Sequence, residues 1–385
     1  MKKGRTSFVF FAVLLVSPLF LGFCSLVNDP SSLATLDVFV GVDVAYDDVE
    51  GIKILVDEIR FFTNFFVIGS TGITFNVTKL DEVCQYVYDS GLYFIVYTHL
   101  TTLLPQPQWV DDARQMWGSR FLGLYAFDEA GGHQIDCARP HMLVEEAENY
   151  TDAANKFVGL LEEHLKHFTD YYICAGEFPL FTSDYGLYWF DYKAGYDVVF
   201  TEFGWNHSRL LNVALCRGAA EVQNKDWGVM ITWTYRDNPY IESGQELYDD
   251  LILAYQSGAK YIVVFNYPKA STYGILEEEH LEALKSFWQY VKLNPRMIDT
   301  MDSRVAYALP EDYGYGFRGP DDKTWGLWED DSLSNQIWND ANAFSEEYEL
   351  ELDIIYEDGV EHNSTSRYRK IMFWNGTVTT NENQP

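Results

Sequence analysis

The sequence predicts an α/β fold in which a (β/α)8 barrel, the TIM-barrel architecture, is followed by a small C-terminal α/β appendage. The first observation is a pattern that repeats between Asp37 and Asn294: a short apolar run, a loop, then an amphipathic segment. The second is the count, because eight such units fill about 255 residues, the usual size of this barrel. The third is the Gly that ends several amphipathic segments just before the next apolar run, as at Gly91 and Gly258.

The apolar runs are the predicted strands. Each is short and rich in Val, Ile, Phe and Tyr, as expected for a strand that is buried on both faces. A doubly wound open sheet is the main alternative, but the first unit lacks the G-x-G-x-x-G turn of that fold. The eight predicted strands are Val38–Val44, Phe65–Gly69, Tyr93–Tyr97, Phe121–Phe127, Tyr171–Ala175, Val198–Phe203, Val229–Thr234 and Tyr261–Phe265.

Helices are predicted between the strands, where apolar residues recur at helical spacing. We place this barrel domain at residues 36–296 and expect its first and last strands to be hydrogen-bonded neighbours. The clearest helical segments are Val49–Ile59, Thr78–Asp89, Met142–His167, Glu242–Gln256 and Leu276–Val291.

The pattern changes after Pro295. A strand at Ser303–Leu309 is followed by a Gly- and Asp-rich stretch, residues 310–331, and then by a helix at Ser334–Tyr348. Two more strands follow, at Leu352–Tyr356 and Tyr368–Trp374. We therefore predict a small α/β appendage at residues 303–376 and a disordered polar tail at residues 377–385.

The composition is acidic and aromatic. The 385 residues include 27 Lys and Arg against 58 Asp and Glu, a formal net charge of −31, and 47% are hydrophobic and 17% aromatic. That much apolar material excludes wholesale disorder. The negative charge argues against nucleic acid, and against anionic membrane surfaces, as partners of the folded body. Neutral or cationic ligands remain, and sugars are the commonest of these.

The N-terminus predicts export. Lys2, Lys3 and Arg5 precede an apolar run, Phe8–Phe23, so residues 1–27 read as a signal peptide or an N-terminal membrane anchor. Cleavage after Cys24 would leave a chain that begins near Ser25. A lipid anchor attached at this cysteine is the third alternative. A secreted or cell-surface location follows, with the membrane as a partner only through such an anchor.

Five N-x-S/T sequons agree with export and predict a glycoprotein; they begin at Asn76, Asn149, Asn206, Asn363 and Asn375. The cysteines beyond the N-terminal segment show no CxxC spacing, so a structural zinc is not expected. Cys174 reads as a buried thiol in an apolar run, and one disulfide among the other three is left open: Cys84, Cys137 and Cys216.

The candidate catalytic residues are carboxylates at the C-terminal ends of the strands, the end that carries the active site in barrels of this kind. Asp128 and Glu129 follow the fourth predicted strand, Glu177 follows the fifth, and Glu202 lies near the end of the sixth. Glycoside hydrolysis needs two such carboxyl groups, one protonated as the acid and one ionised as the nucleophile or base.

Aromatic and polar residues crowd the same rim. Aromatic rings stack on the apolar faces of sugars, while carboxylates and amides bind their hydroxyl groups. The predicted substrate-binding residues are Asp43, Tyr46, His99, Trp205, Trp233, Tyr235, Arg236, Glu242 and Asn266.

The segment Leu124–Gly132, with Asp128 and Glu129 directly after strand 4, resembles the (β/α)8 glycosidase superfamily. The resemblance implies that Glu129 is the general acid, with Asp128 in the place of the Asn that often precedes it. The largest clan of these enzymes has its nucleophilic Glu at the end of strand 7. Here the segment 231–237 offers none, and the partner of Glu129 stays open between Glu177 and Glu202. The appendage resembles a trimmed form of the amidotransferase-like domain of some barrel β-galactosidases, without the Cys-His-Glu triad.

These patterns predict an extracellular glycoside hydrolase that acts on a glycan and needs no cofactor. Asp128, Glu129, His133 and Asp136 lie close in the sequence, but in an irregular loop rather than on one helix face, so no metal is expected. The alternative is a carbohydrate-binding or cell-surface structural barrel without catalysis, which the missing strand-7 Glu favours. The sequence leaves the sugar and the oligomeric state open.

Overall fold

The computed structural model describes residues 38–99, 104–173, 176–296, 304–360 and 367–380. Eight parallel strands close into a barrel in chain order. The first strand pairs with the eighth, from Phe39 opposite Tyr261 to Val44 opposite Asn266, so the predicted closure is confirmed. The strands are β1 Phe39–Val44, β2 Phe65–Ile68, β3 Tyr93–Thr98, β4 Phe121–Ala126, β5 Leu180–Asp184, β6 Val198–Phe203, β7 Asp226–Ile231 and β8 Tyr261–Asn266.

Helices connect the strands and cover the barrel. The first of them, Val49–Ile59, begins where the Asp48 side chain accepts the Gly51 N–H, and it buries an apolar stripe that includes Leu55. The helices are α1 Val49–Ile59, α2 Thr71–Thr74, α3 Val77–Asp89, α4 Pro107–Trp117, α5 Ala130–Ile135, α6 Tyr150–Tyr171, α7 Tyr188–Ala194, α8 Arg209–Gln223, α9 Gly244–Gln256 and α10 Glu278–Leu293.

The predicted fifth strand, Tyr171–Ala175, is wrong. Helix α6 continues to Tyr171, because its buried stripe runs on at helical spacing through Leu161, Leu165 and Phe168. Residues 174–175, which include Cys174, lie outside the described part of the chain. The strand follows instead at Leu180–Asp184, which shifts the site residues expected at its end.

The seventh strand also differs from the prediction. It begins at Asp226, three residues before the expected Val229, and ends at Ile231 rather than Thr234. Beyond Ile231 the chain turns back on itself, since the N–H groups of Thr234 and Tyr235 both bond to the carbonyl of Tyr240. Trp233 therefore belongs to a loop at the rim and not to the strand.

Alternate strand residues fill the barrel interior. Its middle layer is aromatic: the ring centroid of Phe181 lies 6.1 Å from that of Phe200 and 5.2 Å from that of Tyr261. Side chains two residues further along a strand lie on the same face, one layer nearer the C-terminal ends. By this alternation Glu202 lies on the same face as Phe200 and one layer nearer the mouth of the barrel. Asp43 likewise shares a face with Phe39, four residues earlier in β1.

The appendage is a second, four-stranded sheet with the strand order β10-β9-β11-β12. It docks on α8, where the Arg217 guanidinium donates to Asp353 at 2.6 Å and both side chains are buried. Gly218 allows the close approach, because a Cβ there would lie 2.3 Å from the carbonyl oxygen of Ile354. Its elements are β9 Val305–Leu309, α11 Ser332–Tyr348, β10 Leu352–Tyr356, α12 Glu357–Val360, β11 Lys370–Phe373 and β12 Val378–Thr380.

The predicted disordered tail, residues 377–385, is wrong at residues 378–380. Val378–Thr380 pairs antiparallel with β11, because the turn at Asn375 and Gly376 folds the chain back on that strand. Residues 381–385 and the predicted signal or anchor, residues 1–27, lie outside the described residues. No helix of the described residues has the length and apolar character to cross a membrane.

The sequons and cysteines of the described residues are placed as follows. Asn76, Asn149, Asn206 and Asn375 are all exposed, whereas Asn363 lies outside the described residues. The other three cysteines are free thiols, so the disulfide left open among them is not formed: Cys84, Cys137 and Cys216.

Candidate active site

Four carboxylates gather at the C-terminal mouth of the barrel. Asp43 on β1 and Glu202 on β6 are buried, and Asp128 and Glu129 follow β4 in the turn that leads into α5. Among the ion pairs of the described residues, one involves this group: His133 Nε2 lies 3.3 Å from Glu129 Oε2. Burial is the main cause that lowers the pKa of His133, so this histidine is a weak counter-ion at neutral pH.

The backbone fixes the direction of Glu129. The residue has a left-handed φ of 57° and stands at the N-cap of α5. Its N–H donates to the carbonyl oxygen of Ser183 on β5 at 2.8 Å. A non-glycine residue in this region is strained and persists only where its surroundings hold it, and such positions cluster at functional sites.

Asp184, the last residue of β5, binds the backbone of α5 just after Glu129. Its carboxylate accepts the N–H of Gly131 at 2.6 Å and of Gly132 at 2.8 Å, and it also accepts those of Tyr185 and Gly186. Burial raises the pKa of Asp184 to about 7 although these bonds favour the ionised form. Asp184 therefore anchors the first turn of α5 and, through it, Glu129.

Asp191 on α7 is a second buried carboxyl beside Asp184. Burial, then the Asp184 charge and a hydrogen bond with the Asp184 carboxylate, raise its pKa well above the usual value. The side chain is therefore protonated at neutral pH, because a second buried carboxylate beside Asp184 would be very costly.

Glu202 is tied to the same strand as Asp184. Its Oε1 accepts a hydrogen bond from the hydroxyl of Ser183 at 2.8 Å, and the Ser183 hydroxyl lies 2.8 Å from that of Tyr125. Ser183 thus bonds to Glu202 through its side chain and to Glu129 through its backbone. Through this serine, β5 sets the relative position of the two glutamates.

The pKa values of both glutamates are raised. Burial, then the charges of Asp128 and Asp184, raise the pKa of Glu129 to about 8. Burial and then the Glu129 charge raise the pKa of Glu202, while the Ser183 hydroxyl opposes the shift. Since the charge of one disfavours ionisation of the other, the pair retains a proton at neutral pH.

Asp43 and Asp128 are the other two carboxylates of this group. The hydroxyl of Tyr97 donates to Oδ1 of Asp128 at 3.2 Å. Burial and then the Asp128 charge raise the pKa of Asp43, whose Oδ1 has no hydrogen-bond partner. His99 directly follows the last residue of β3 and is half-buried.

Aromatic side chains form the rim beside β6, β7 and β8. Trp205 and Tyr235 are about half exposed, and the Trp233 ring is nearly parallel to that of Tyr267, at 6.3 Å between centroids. The Trp233 indole N–H donates to the Tyr267 carbonyl oxygen at 2.7 Å, which fixes the ring. These rings present flat apolar faces at the rim of the barrel.

Three other predicted binding residues lie nearby. Tyr46 is buried after β1 and its hydroxyl has no partner, whereas Arg236 is exposed in the loop after β7. Asn266 ends β8, but both ends of its amide are engaged, since it donates to the Tyr273 carbonyl oxygen and accepts the Ile275 N–H. Its observed contacts therefore stabilise the loop after β8.

Glu242, the next glutamate after β7, is engaged away from the other carboxylates. Its Oε2 lies 3.4 Å from the Arg209 guanidinium on α8, which also bonds Asp250 on α9, and its carbonyl oxygen contacts His280 on α10. Burial and then the Asp250 charge raise its pKa to about 8. These contacts join three helices, so strand 7 adds no carboxylate to the pair formed by Glu129 and Glu202.

The expectation for Glu177 is wrong. Because β5 begins at Leu180, Glu177 precedes this strand and lies at the N-terminal end of the barrel. It lines a cavity of about 310 Å³ with Arg114 and with Phe121, the first residue of β4. This position excludes Glu177 as the partner of Glu129.

Sequence reasoning missed Ser183 and Asp184, which hold the site together. The fifth strand was predicted at Tyr171–Ala175, which left the segment Leu180–Asp184 without an assignment. The available signal was its apolar start, Leu180–Phe181, just after Pro179 and before the three polar residues Thr182, Ser183 and Asp184. Among the described residues no cluster of three or more His, Cys, Asp or Glu side chains is arranged to hold a metal ion.

Comparison with known proteins gives matches of structure only. No protein-family model matches this chain, and no curated protein matches it in sequence. A glycoside hydrolase of subfamily GH5_18 from Bifidobacterium longum subsp. infantis superposes with a TM-score of 0.54 at 9% identity, over 87% of this chain and 96% of that one. The α-L-fucosidase isoenzyme 2 from Paenibacillus thiaminolyticus gives 0.52 at 10% identity, over 87% of this chain and 59% of that one.

The chain is therefore a TIM barrel with a glycosidase-like fold. This chain spans about three fifths of the fucosidase chain. At such low identity the likeness concerns the fold, and the activity must be argued from the residues of the site.

Proposed function

We propose that the protein is an exported glycoside hydrolase in which Glu129 is the general acid and Glu202 the nucleophile or base. One observation carries the proposal: two glutamates at the mouth of the barrel are bonded to the same residue, Ser183, and Glu129 has its pKa raised to about 8. A carboxyl group with such a pKa is still protonated at neutral pH and has a proton to give.

The proposed reaction follows from the hydrogen bonds. The proposal places the proton of the pair on Glu129, because the Ser183 hydroxyl opposes the rise that burial and the Glu129 charge cause in the pKa of Glu202. Glu129 gives that proton to the glycosidic oxygen as the bond to the anomeric carbon breaks. Glu202 then attacks that carbon itself or takes a proton from the water that does so.

The surroundings supply what a glycan ligand needs. Trp205, Trp233 and Tyr267 offer rings to the sugar faces, and Asp43 and Asp128 offer acceptors to hydroxyl groups. Neutral sugars also suit a chain with a net charge of −31, because they are not repelled by it. The glycan is therefore the proposed partner, and an extracellular glycan the proposed substrate.

A non-catalytic glycan-binding or cell-surface structural barrel is the second candidate. The observation that favours it is Glu242, which is engaged with Arg209 and leaves strand 7 without a catalytic carboxylate. Binding without hydrolysis would need the same aromatic rim but no acid and base.

The export rests on the N-terminal segment, residues 1–27, and on the sequons. Four sequons lie at exposed positions, where a glycan could be attached without disturbing the core: Asn76, Asn149, Asn206 and Asn375.

A substrate screen distinguishes the two candidates. The full chain and Glu202→Gln are assayed against aryl glycosides of the common sugars and against plant and microbial polysaccharides. The proposal expects hydrolysis of at least one substrate by the wild type, and a loss of at least about 10²-fold in Glu202→Gln. Glycan binding by both proteins, with no hydrolysis by either, would favour the binding barrel.

A further inference from the structure

A cavity lies between the barrel mouth and the appendage. It has a volume of about 500 Å³, is open to solvent, and is lined by the end of α5, by the loop after β6 and by the appendage segment 310–331. Its polar lining consists of Asp136, His207, Arg318, Asp321, Asp322 and Lys323. The reaction proposed above uses none of these residues.

The walls of the cavity are held by bonds between the barrel and the appendage. The Arg318 guanidinium donates to Asp322 at 2.6 Å and to Asp136, and it lies 6.0 Å from the Tyr185 ring centroid. The Tyr185 hydroxyl donates to Asp136 at 2.7 Å. A pocket with side chains already fixed in this way loses less entropy when a ligand binds.

The cavity shares structure with the candidate active site. Glu129 stands at the N-cap of α5 and Asp136 at its C-cap, so the two backbones are about 10 Å apart along the helix. Tyr185 follows Asp184 and packs on the same helix, since a Cβ at Gly132 would lie 2.1 Å from its ring. The cavity therefore lies one short helix away from Glu129.

The lining suits a neutral, hydroxyl-rich ligand. Its two cationic side chains, Arg318 and Lys323, are ion-paired with carboxylates, which weakens their attraction for an anion. His207 has its pKa lowered, chiefly by burial, so it offers a neutral donor and acceptor. Asp321 is exposed and offers further acceptors. Sugar hydroxyl groups match such a mixture of donors and acceptors.

We infer that this cavity is a distal sugar-binding subsite and that the appendage is part of the substrate-binding site. The inference deepens the proposed function and rests on it, because it concerns the sugars that lie beside the one held at Glu129. It assigns the substrate to oligosaccharides and polysaccharides rather than to single glycosides.

The test measures how binding depends on chain length. In the Glu129→Gln protein, which binds without turnover, cello-, laminari- and manno-oligosaccharides of two to six units are titrated by calorimetry. We expect the affinity in one series to rise at least about 10-fold with length, equivalent to ~1.4 kcal/mol. His207→Ala and Asp321→Ala should each remove most of that gain. Asp330→Ala is the matched control, an exposed aspartate in the same appendage segment that is outside the cavity lining.

Each outcome decides one of the two claims. An affinity that does not depend on length, or a gain that persists in both cavity variants, overturns the subsite; hydrolysis of aryl glycosides by the wild type would still support the proposed function. A length-dependent gain that needs His207 and Asp321, in a protein that hydrolyses nothing, supports the subsite and contradicts the hydrolase. No binding of any series contradicts both. Circular dichroism of each variant confirms that it is folded.

Discussion

The hydroxyl of Ser183 donates a hydrogen bond of 2.8 Å to Oε1 of Glu202. This bond opposes the rise that burial and then the Glu129 charge cause in the pKa of Glu202. The same serine accepts the N–H of Glu129, so one residue of β5 acts on both members of the proposed pair.

Ser183→Ala should therefore impair the reaction at Glu202. A hydrogen bond to a charged group contributes about 1.5–3 kcal/mol, so we expect kcat to fall roughly 10- to 100-fold. The pKa of Glu202 should rise, which moves the low-pH limb of the kcat profile to higher pH. Tyr125→Phe serves as the comparison, because its hydroxyl contacts Ser183 but not Glu202, and its effect should be smaller. An unchanged low-pH limb in Ser183→Ala would show that the serine does not act on Glu202.

The upper pH limit of activity should reflect Glu129. Its pKa is raised to about 8 and it acts in the protonated form, so kcat/KM should decline as the pH rises through about 8. The Asp184 charge is one cause of that raised value. Asp184→Asn removes the charge, lowers the pKa of Glu129 and should move the upper limb to lower pH.

Asp191→Asn is the control for that shift. The amide resembles the protonated carboxyl that Asp191 carries at neutral pH, so the charge near Glu129 does not change. In Asp191→Asn, the pH at which kcat/KM declines should be the same as in the wild type. If kcat/KM of the wild type and of Asp184→Asn declined at the same pH, the Asp184 charge would not affect the pKa of Glu129.

The docking of the appendage should depend on Arg217. Arg217→Met leaves the buried Asp353 without its closest cation, and breaking a buried pair in this way costs about 3–5 kcal/mol. The free energy of unfolding, measured in urea, should fall by that order. Lys285→Met, which breaks the exposed pair with Glu282, should cost less than about 1 kcal/mol. Equal losses in the two variants would contradict a role for the buried pair in holding the appendage.

Export is tested by the state of the mature protein. Expressed with its N-terminal segment in a host that glycosylates secreted proteins, the chain should begin near Ser25 and carry glycans at one or more of its sequons. N-terminal sequencing and mass spectrometry of the exported fraction check both points. An intact and unmodified chain, found only inside the cells, would contradict the proposed location.

The barrel could be predicted from the sequence because its strands are buried on both faces. The run Phe65–Ile68 is wholly apolar, and Val198–Phe203 is apolar except for Thr201 and Glu202; both are short and end at loops, which is typical of a buried strand. The fifth strand failed for a physical reason. The aromatic end of α6, at Tyr171, has the same composition as a strand, and only its contacts with the helix stripe distinguish it.

The site could be predicted only where it follows a correctly placed strand. Glu129 and Glu202 lie at the ends of strands 4 and 6, which the sequence places correctly. Glu177 was expected at the C-terminal end of the barrel only because strand 5 was placed too early. Ser183 and Asp184 act through hydrogen bonds to residues about 50 positions earlier, and such pairings leave no local pattern in the sequence.

The central claim, that Glu129 is the general acid, is tested most directly by the leaving-group dependence of Glu129→Gln. The amide retains the shape of the side chain but has no proton to transfer. We predict that hydrolysis of natural glycans falls by at least about 10²-fold, while activated aryl glycosides, which need little protonation, are affected much less. Glu177→Gln, at the opposite end of the barrel, should behave as the wild type on both substrates. Equal activity of Glu129→Gln and the wild type on a natural glycan would contradict the account.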